Sequence, residues 1–283
     1  MSKFFNETQK ASQWAQQKLA NQDLDVKEML ESLKQGSPPG MSSADTQLSQ
    51  CRQVQVGNGN APRLVLHQSE ASRAALEAYR GLRTRLMRAQ AKSGLKTLAI
   101  TSSLPGEGKT LTTMNLGLCY AQLPQQRVLV IDADLRTCGL TSMLDHPSTL
   151  GLAEVMAGDV SPDVAIAATN QKNLFVLPAG TVLSSPPELF TGTRWQEFLA
   201  HCGELFKVIL IDTPPILPLA DFELISAACD GVVMVVRAHH GQRETLQKTA
   251  GALDPKKMLG VVFNATEITE KDYYGYGYGS SKS

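Results

Sequence analysis

From Lys96 onward the chain alternates short apolar runs with longer mixed stretches. The apolar runs are Thr97–Thr101, Val128–Asp132, Leu174–Pro178, Val208–Asp212, Val232–Val236 and Met258–Asn264. Most are continuous and rich in β-branched residues, as strands buried on both faces should be. Helix-length segments separate several of them, which predicts a mostly parallel β-sheet with helices on both faces, an α/β architecture. Such sheets bind ligands outside the carboxyl ends of their strands.

Upstream the pattern changes. Residues 3–35 are polar and Gln-rich, with Trp14, Leu19, Leu24, Met29, Leu30 and Leu33 at loosely helical spacing. This predicts a helical N-terminal extension over 1–35, which either docks on its own domain or binds a partner. Gly36-Ser37-Pro38-Pro39-Gly40 opens a linker over 36–62, with Gly57-Asn58-Gly59-Asn60 near its end. The main domain is expected over 63–270 and a tail over 271–283. A helix is expected at about Ser69 to Lys92, capped by Ser69. Its Glu77, Arg80 and Arg83 recur in steps of three, which places them on adjoining strips of one face. The spacing alone fits an intrahelical Glu77–Arg80 pair on a solvated surface.

Composition narrows the function classes. Of the 283 residues 42% are apolar and 6% aromatic, enough for an ordinary core. Lys+Arg and Asp+Glu number 27 each, so charge gives no case for nucleic acid as a partner. Five cysteines, at 51, 119, 138, 202 and 229, are scattered without C-x-x-C spacing. That argues against a disulfide framework or zinc site and fits a reducing cytoplasm. No apolar run approaches the roughly 18 residues of a membrane-spanning helix, and Met1 to Lys10 lacks the apolar core of a secretory signal.

The chemistry concentrates at the predicted strand ends. After the first run comes Ser103-Leu104-Pro105-Gly106-Glu107-Gly108-Lys109-Thr110-Leu111, followed by a helical stretch to Leu123. Strand, glycine turn and helix form the context of a P-loop, although Ser103 stands where its first glycine belongs. Backbone N–H groups over Pro105 to Leu111, with the helix dipole, would surround phosphates. Lys109 would reach the outer phosphates and Thr110 would ligate Mg2+. Asp132 and Asp134 end the second run and Asp212 the fourth. An apolar strand ending in Asp suits a carboxylate that holds the water shell of Mg2+. Asp132 and Asp134 also have acid–base potential, and the sequence does not divide metal and base roles between them. Asn264 ends the last strand with an amide suited either to a purine edge or to a turn. Arg237 is placed to face a phosphate or solvent, and His239 and His240 read as surface residues. Cys138 either lines the site or packs. The fold class is therefore a P-loop NTPase with an N-terminal extension and a tail. In that tail Tyr273, Tyr274, Tyr276 and Tyr278 alternate with glycines. A segment of this composition builds no core and is expected to be mobile. Its tyrosines are either a sticky low-complexity stretch or a string of phosphate acceptors.

Together the Pro-Gly-Glu-Gly-Lys-Thr loop, the Asp-Ala-Asp-Leu-Arg run, Ile-Asp-Thr-Pro-Pro, the E-x-x-R-x-x-R helix and the tyrosine tail resemble the bacterial tyrosine kinases of polysaccharide export, in their stand-alone form. The likeness runs from about Ser69 to the C-terminus. It implies an ATP- and Mg2+-dependent autokinase that phosphorylates its tyrosine cluster between subunits and regulates exopolysaccharide synthesis or export. It implies phosphate binding by Lys109, magnesium at Thr110 and Asp212, and phosphoryl transfer that needs Asp132 and Asp134; on that basis Asp134 is expected to share the magnesium shell with Asp212, and Asp132 is the candidate base. It implies a ring-like homo-oligomer built through Glu77, Arg80 and Arg83. It also implies a cytoplasmic location at the inner membrane, through the cytoplasmic segment of a membrane-embedded polysaccharide co-polymerase. The rival is the partitioning and septum-site ATPases, nucleotide switches of the same fold. Their signature lysine falls at the position of Leu104 here, and their C-terminal amphipathic helix is replaced by tyrosines.

Overall fold

The computed structural model describes residues 48–56, 64, 73–145, 150–181, 186–217, 221–241 and 243–265. The extension over 1–35, the Ser69 cap and the four tail tyrosines lie outside the described residues.

Among the described residues eight strands form one sheet: β1 Arg52–Val54, β2 Thr97–Ser102, β3 Val128–Asp132, β4 Ala167–Thr169, β5 Leu174–Leu177, β6 Val208–Asp212, β7 Gly231–Arg237 and β8 Met258–Asn264. Their order is β1-β4-β5-β3-β6-β2-β7-β8. Every pairing is parallel except β4 with β5.

Alternation along the central strands explains the layers. Ala99, Leu129, Ile131, Ile209, Ile211, Val232 and Met234 enter one core cluster. Their neighbours Leu98, Ile100, Val128, Val130, Val208, Leu210, Val233 and Val235 enter the other. Helix α1 (Arg73–Ser93) and α2 (Lys109–Ala121) cover the second face through Leu86, Met114, Leu116, Leu118 and Tyr120. The first face is covered by α3 (Leu152–Ala157), α5 (Arg194–Leu205) and α6 (Asp221–Ala227), with Trp195, Phe198 and Phe222 prominent. The short α4 (Pro162–Ala165) leads into β4, and α7 (Arg243–Ala252) joins β7 to β8. Among the described residues no helix is long and apolar enough to cross a membrane.

The linker boundary needs correction. Residues 48–56 were expected in the linker, yet β1 pairs in register with β4, Arg52 opposite Ala167. Leu48, Cys51, Val54 and Val56 are buried. Side-chain acceptors also fix this segment: Gln55 N donates to Asp145 Oδ1 at 2.9 Å and Val56 N to Asn170 Oδ1 at 3.1 Å. Three-residue strands of Arg-Gln-Val and Ala-Ala-Thr carry too little pattern to be read from sequence.

Candidate active site

The register of the three central strands builds the site. Asp132 of β3 stands opposite Asp212 of β6, and Ile100 of β2 stands opposite Asp212 on its other side. The glycine turn leaves β2 two residues later, so three strand ends converge. Asp132 and Asp212 are fully buried and Asp134 nearly so.

The turn leads directly into α2. Gly108 is the helix N-cap with φ of 92°, a left-handed conformation that favours glycine, and it offers no side-chain cap. The first N–H groups of α2 are thus left for an anion. A Cβ at Gly108 would lie 2.0 Å from Nδ2 of Asn264. The loop carbonyls are held from outside. Asn264 Nδ2 donates to Glu107 O at 2.9 Å and Arg237 Nη1 to Gly106 O at 3.3 Å. A ring nitrogen of His240 lies 3.4 Å from Pro105 O. Asn264 Oδ1 meanwhile accepts from Ala265 N, so both ends of the amide are engaged within the protein. Glu107 is buried, and its Oε2 accepts from Leu104 N at 2.9 Å.

Lys109 is folded inward. Its Nζ donates to Asp134 Oδ2 at 2.8 Å and lies 3.8 Å from Asp212 Oδ1 and 3.4 Å from Thr110 Oγ1. Burial works against its charge, but Asp212 and Asp134 outweigh it and raise its pKa. Burial likewise pushes Asp134 upward, but the charge and hydrogen bond of Lys109 leave it net below the usual carboxylate range. Asp212 moves the other way. Burial lifts it to about 6 against the pull of Lys109 and of the nearby Thr110 and Thr113 hydroxyls, and neither of its oxygens has a hydrogen-bond partner within 3.5 Å.

Asp132 rises to about 7, through burial first and the neighbouring Asp212 second, with hydrogen bonds from Thr141 opposing. Thr141 N and Oγ1 both donate to Asp132 Oδ2, at 2.8 and 2.7 Å. Oδ1 has no partner. Arg136, just beyond, forms a two-point contact with Asp221 of α6 through Nε and Nη2, at 2.9 and 3.3 Å. Sequence reasoning missed Thr141 and Asp221: a lone Thr in a loop and an Asp at a helix start carry no distinguishing signal. Cys138 sits half-buried between the acids and the surface, with burial first and Asp132 second lifting its thiol to about 11.

A family model described as an AAA domain matches residues 95–251. Tyrosine-protein kinase YwqD of Bacillus subtilis (strain 168) is 34% identical over 222 residues, covering 77% of this chain and 92% of that protein. The chain belongs to the bacterial tyrosine-protein kinases. Solved structures agree with its fold. The chimerical protein CapA2B2 superposes with a TM-score of 0.65 at 27% identity, over 78% of this chain and 96% of that one. The BceF tyrosine kinase domain gives 0.61 at 29% identity, over 66% and 76%.

Within this kinase the oligomerisation candidates lie in the N-terminal half of α1. Arg80 Nη1 contacts Glu77 Oε1 at 2.6 Å on a face that is about two-fifths exposed. Arg83 turns inward instead, and its Nη1 donates to Cys119 O at 2.6 Å near the C-terminal end of α2. A cation suits that end of a helix dipole.

Proposed function

We propose that the chain is an ATP-dependent protein-tyrosine autokinase whose acceptors are Tyr273, Tyr274, Tyr276 and Tyr278 of a neighbouring subunit. The observation that carries this is the set of buried carboxylate oxygens without partners, on Asp132 and Asp212, beside Lys109 and the free helix start. Buried polar atoms are nearly always paired unless a site requires otherwise.

The donor set fits a magnesium ion. Thr110 Oγ1 and the oxygens of Asp212 supply hard ligands. Magnesium keeps water and substrate phosphates in the rest of its shell, so few protein ligands are needed. Asp134 stands beside them, joined to Lys109. The bound ion supplies neutralisation of charge on the phosphate oxygens. The chain's own groups do the rest. Loop N–H groups and Lys109 hold the terminal phosphate of ATP, Lys109 leaving Asp134 to do so. The tyrosine oxygen forms a bond to the terminal phosphorus, the bond from that phosphorus to the leaving ADP oxygen breaks, and the phenolic proton passes to Asp132. A carboxylate lifted to about 7 suits that proton transfer near neutral pH.

The same reading places the kinase in a homo-oligomer, with α1 residues Glu77 and Arg80 facing a neighbour, at the inner membrane beside a polysaccharide co-polymerase. Each tail phosphate adds nearly two negative charges, which would loosen such an assembly. Mixing Lys109→Met protein with an active copy truncated after residue 270 tests transfer between subunits. Labelled tyrosines on the Lys109→Met chain are expected; an unlabelled chain beside an active wild type contradicts the intersubunit step.

A further inference from the structure

We propose that Thr141 is a positioning residue for phosphoryl transfer, one that selects which oxygen of Asp132 faces the reacting groups. The inference rests on the reading that Asp132 acts within the phosphoryl-transfer site.

A carboxylate turns readily about its last torsion, where the energy profile is broad and two-fold. In Asp132 that freedom is removed from one side. Thr141 N and Oγ1 both donate to the same oxygen, Oδ2, at 2.8 and 2.7 Å. The backbone donor is available because Thr141 opens the 3-10 turn Thr141–Met143, whose first N–H groups have no partner within the turn. The hydroxyl is directed by a third segment. Ala179 N, beyond the end of β5, donates to Thr141 Oγ1 at 2.8 Å. A hydroxyl has one hydrogen, and with an acceptor position filled by Ala179 that hydrogen points to Asp132.

The outcome is asymmetric. Oδ2 receives two short bonds, while Oδ1 is buried with none. A carboxylate held for stability alone would have both oxygens paired. Here one oxygen is anchored and the other is kept open beside Asp212, its partner across β3 and β6. Thr141 touches no reacting atom in this account; it acts through Asp132.

The test compares Thr141→Val, Thr141→Ala and Thr141→Ser with the full-length wild type. Initial rates of phosphotyrosine formation are followed against Mg-ATP concentration, with melting temperatures alongside. Val and Ala remove the hydroxyl, and a lost hydrogen bond to a charged group is worth about tenfold or more in rate. Both should lower kcat by about that factor while KM for ATP stays within about twofold, and Ser should restore most of the rate. The inference is overturned if Val and Ala retain full kcat in an otherwise active protein. It is equally overturned if KM rises in step with the loss, or if Ser is as poor as Val at an unchanged melting temperature. A wild type that makes no phosphotyrosine would instead overturn the kinase reading itself.

Discussion

Nζ of Lys109 donates to Oδ2 of Asp134 at 2.8 Å, so the cation that the phosphates require is held by the protein's own carboxylate. The pair is close to fully buried, with side chains 10% and 2% exposed. Removing one member of such a pair strands the other's charge. Lys109→Met should therefore destabilise the ligand-free protein by about 2–4 kcal/mol as well as weaken nucleotide binding. Urea denaturation without nucleotide checks this; an unchanged midpoint would show that the ion pair adds nothing.

Asp132 predicts an unusual dependence of stability on pH. The folded state holds its proton to about 7, whereas an ordinary Asp releases it near 3.8. Below 3.8 both states are protonated and there is no penalty. The penalty grows between these values and is complete above about 7. Ligand-free Asp132→Asn should thus be more stable than wild type at pH 8, by on the order of 1–3 kcal/mol. That difference should shrink toward pH 4. A difference that does not change with pH would contradict the assignment.

Gly108 carries a steric prediction. Its φ of 92° and the 2.0 Å approach of Asn264 Nδ2 leave no room for a methyl group. Gly108→Ala should weaken Mg-ATP binding by at least about tenfold, because alanine is strained at this left-handed φ and its methyl displaces the Asn264 amide that holds Glu107 O. Calorimetric titration of folded protein measures it. Asn264→Ala should weaken binding less, since it removes one brace of the loop and leaves the backbone path allowed.

Arg83 and the Glu77–Arg80 pair should separate cleanly. Arg83 Nη1 holds Cys119 O, so Arg83→Ala should cost about 1 kcal/mol of stability in the isolated subunit. Glu77→Ala or Arg80→Ala breaks an exposed pair and should change stability by less than about 0.5 kcal/mol. Denaturation at low protein concentration distinguishes the two; equal effects would place Arg83 on the surface with the others.

These residues also mark what the sequence reveals. The six long strands, the glycine turn and the three carboxylates were legible, because continuous β-branched runs and an Asp at a strand end are local signals. β1 and β4 were not, since their three residues each acquire meaning only through pairing. Thr141, Asp221 and the inward turn of Arg83 depend on contacts across 9, 85 and 36 residues of chain. No window pattern encodes such contacts. The sequence points Lys109 at the outer phosphates, and its resting contact with Asp134 needs the three strand ends in one place.

The central claim is that this site moves the terminal phosphate of ATP to a tyrosine of the same polypeptide species. Intact-mass measurement and peptide mapping of purified full-length protein after incubation with Mg-ATP test it most directly. The account predicts phosphate on Tyr273, Tyr274, Tyr276 or Tyr278 in wild type and none in Lys109→Met incubated alone. Phosphate release without modified tyrosine, or equal modification of both proteins, would contradict it.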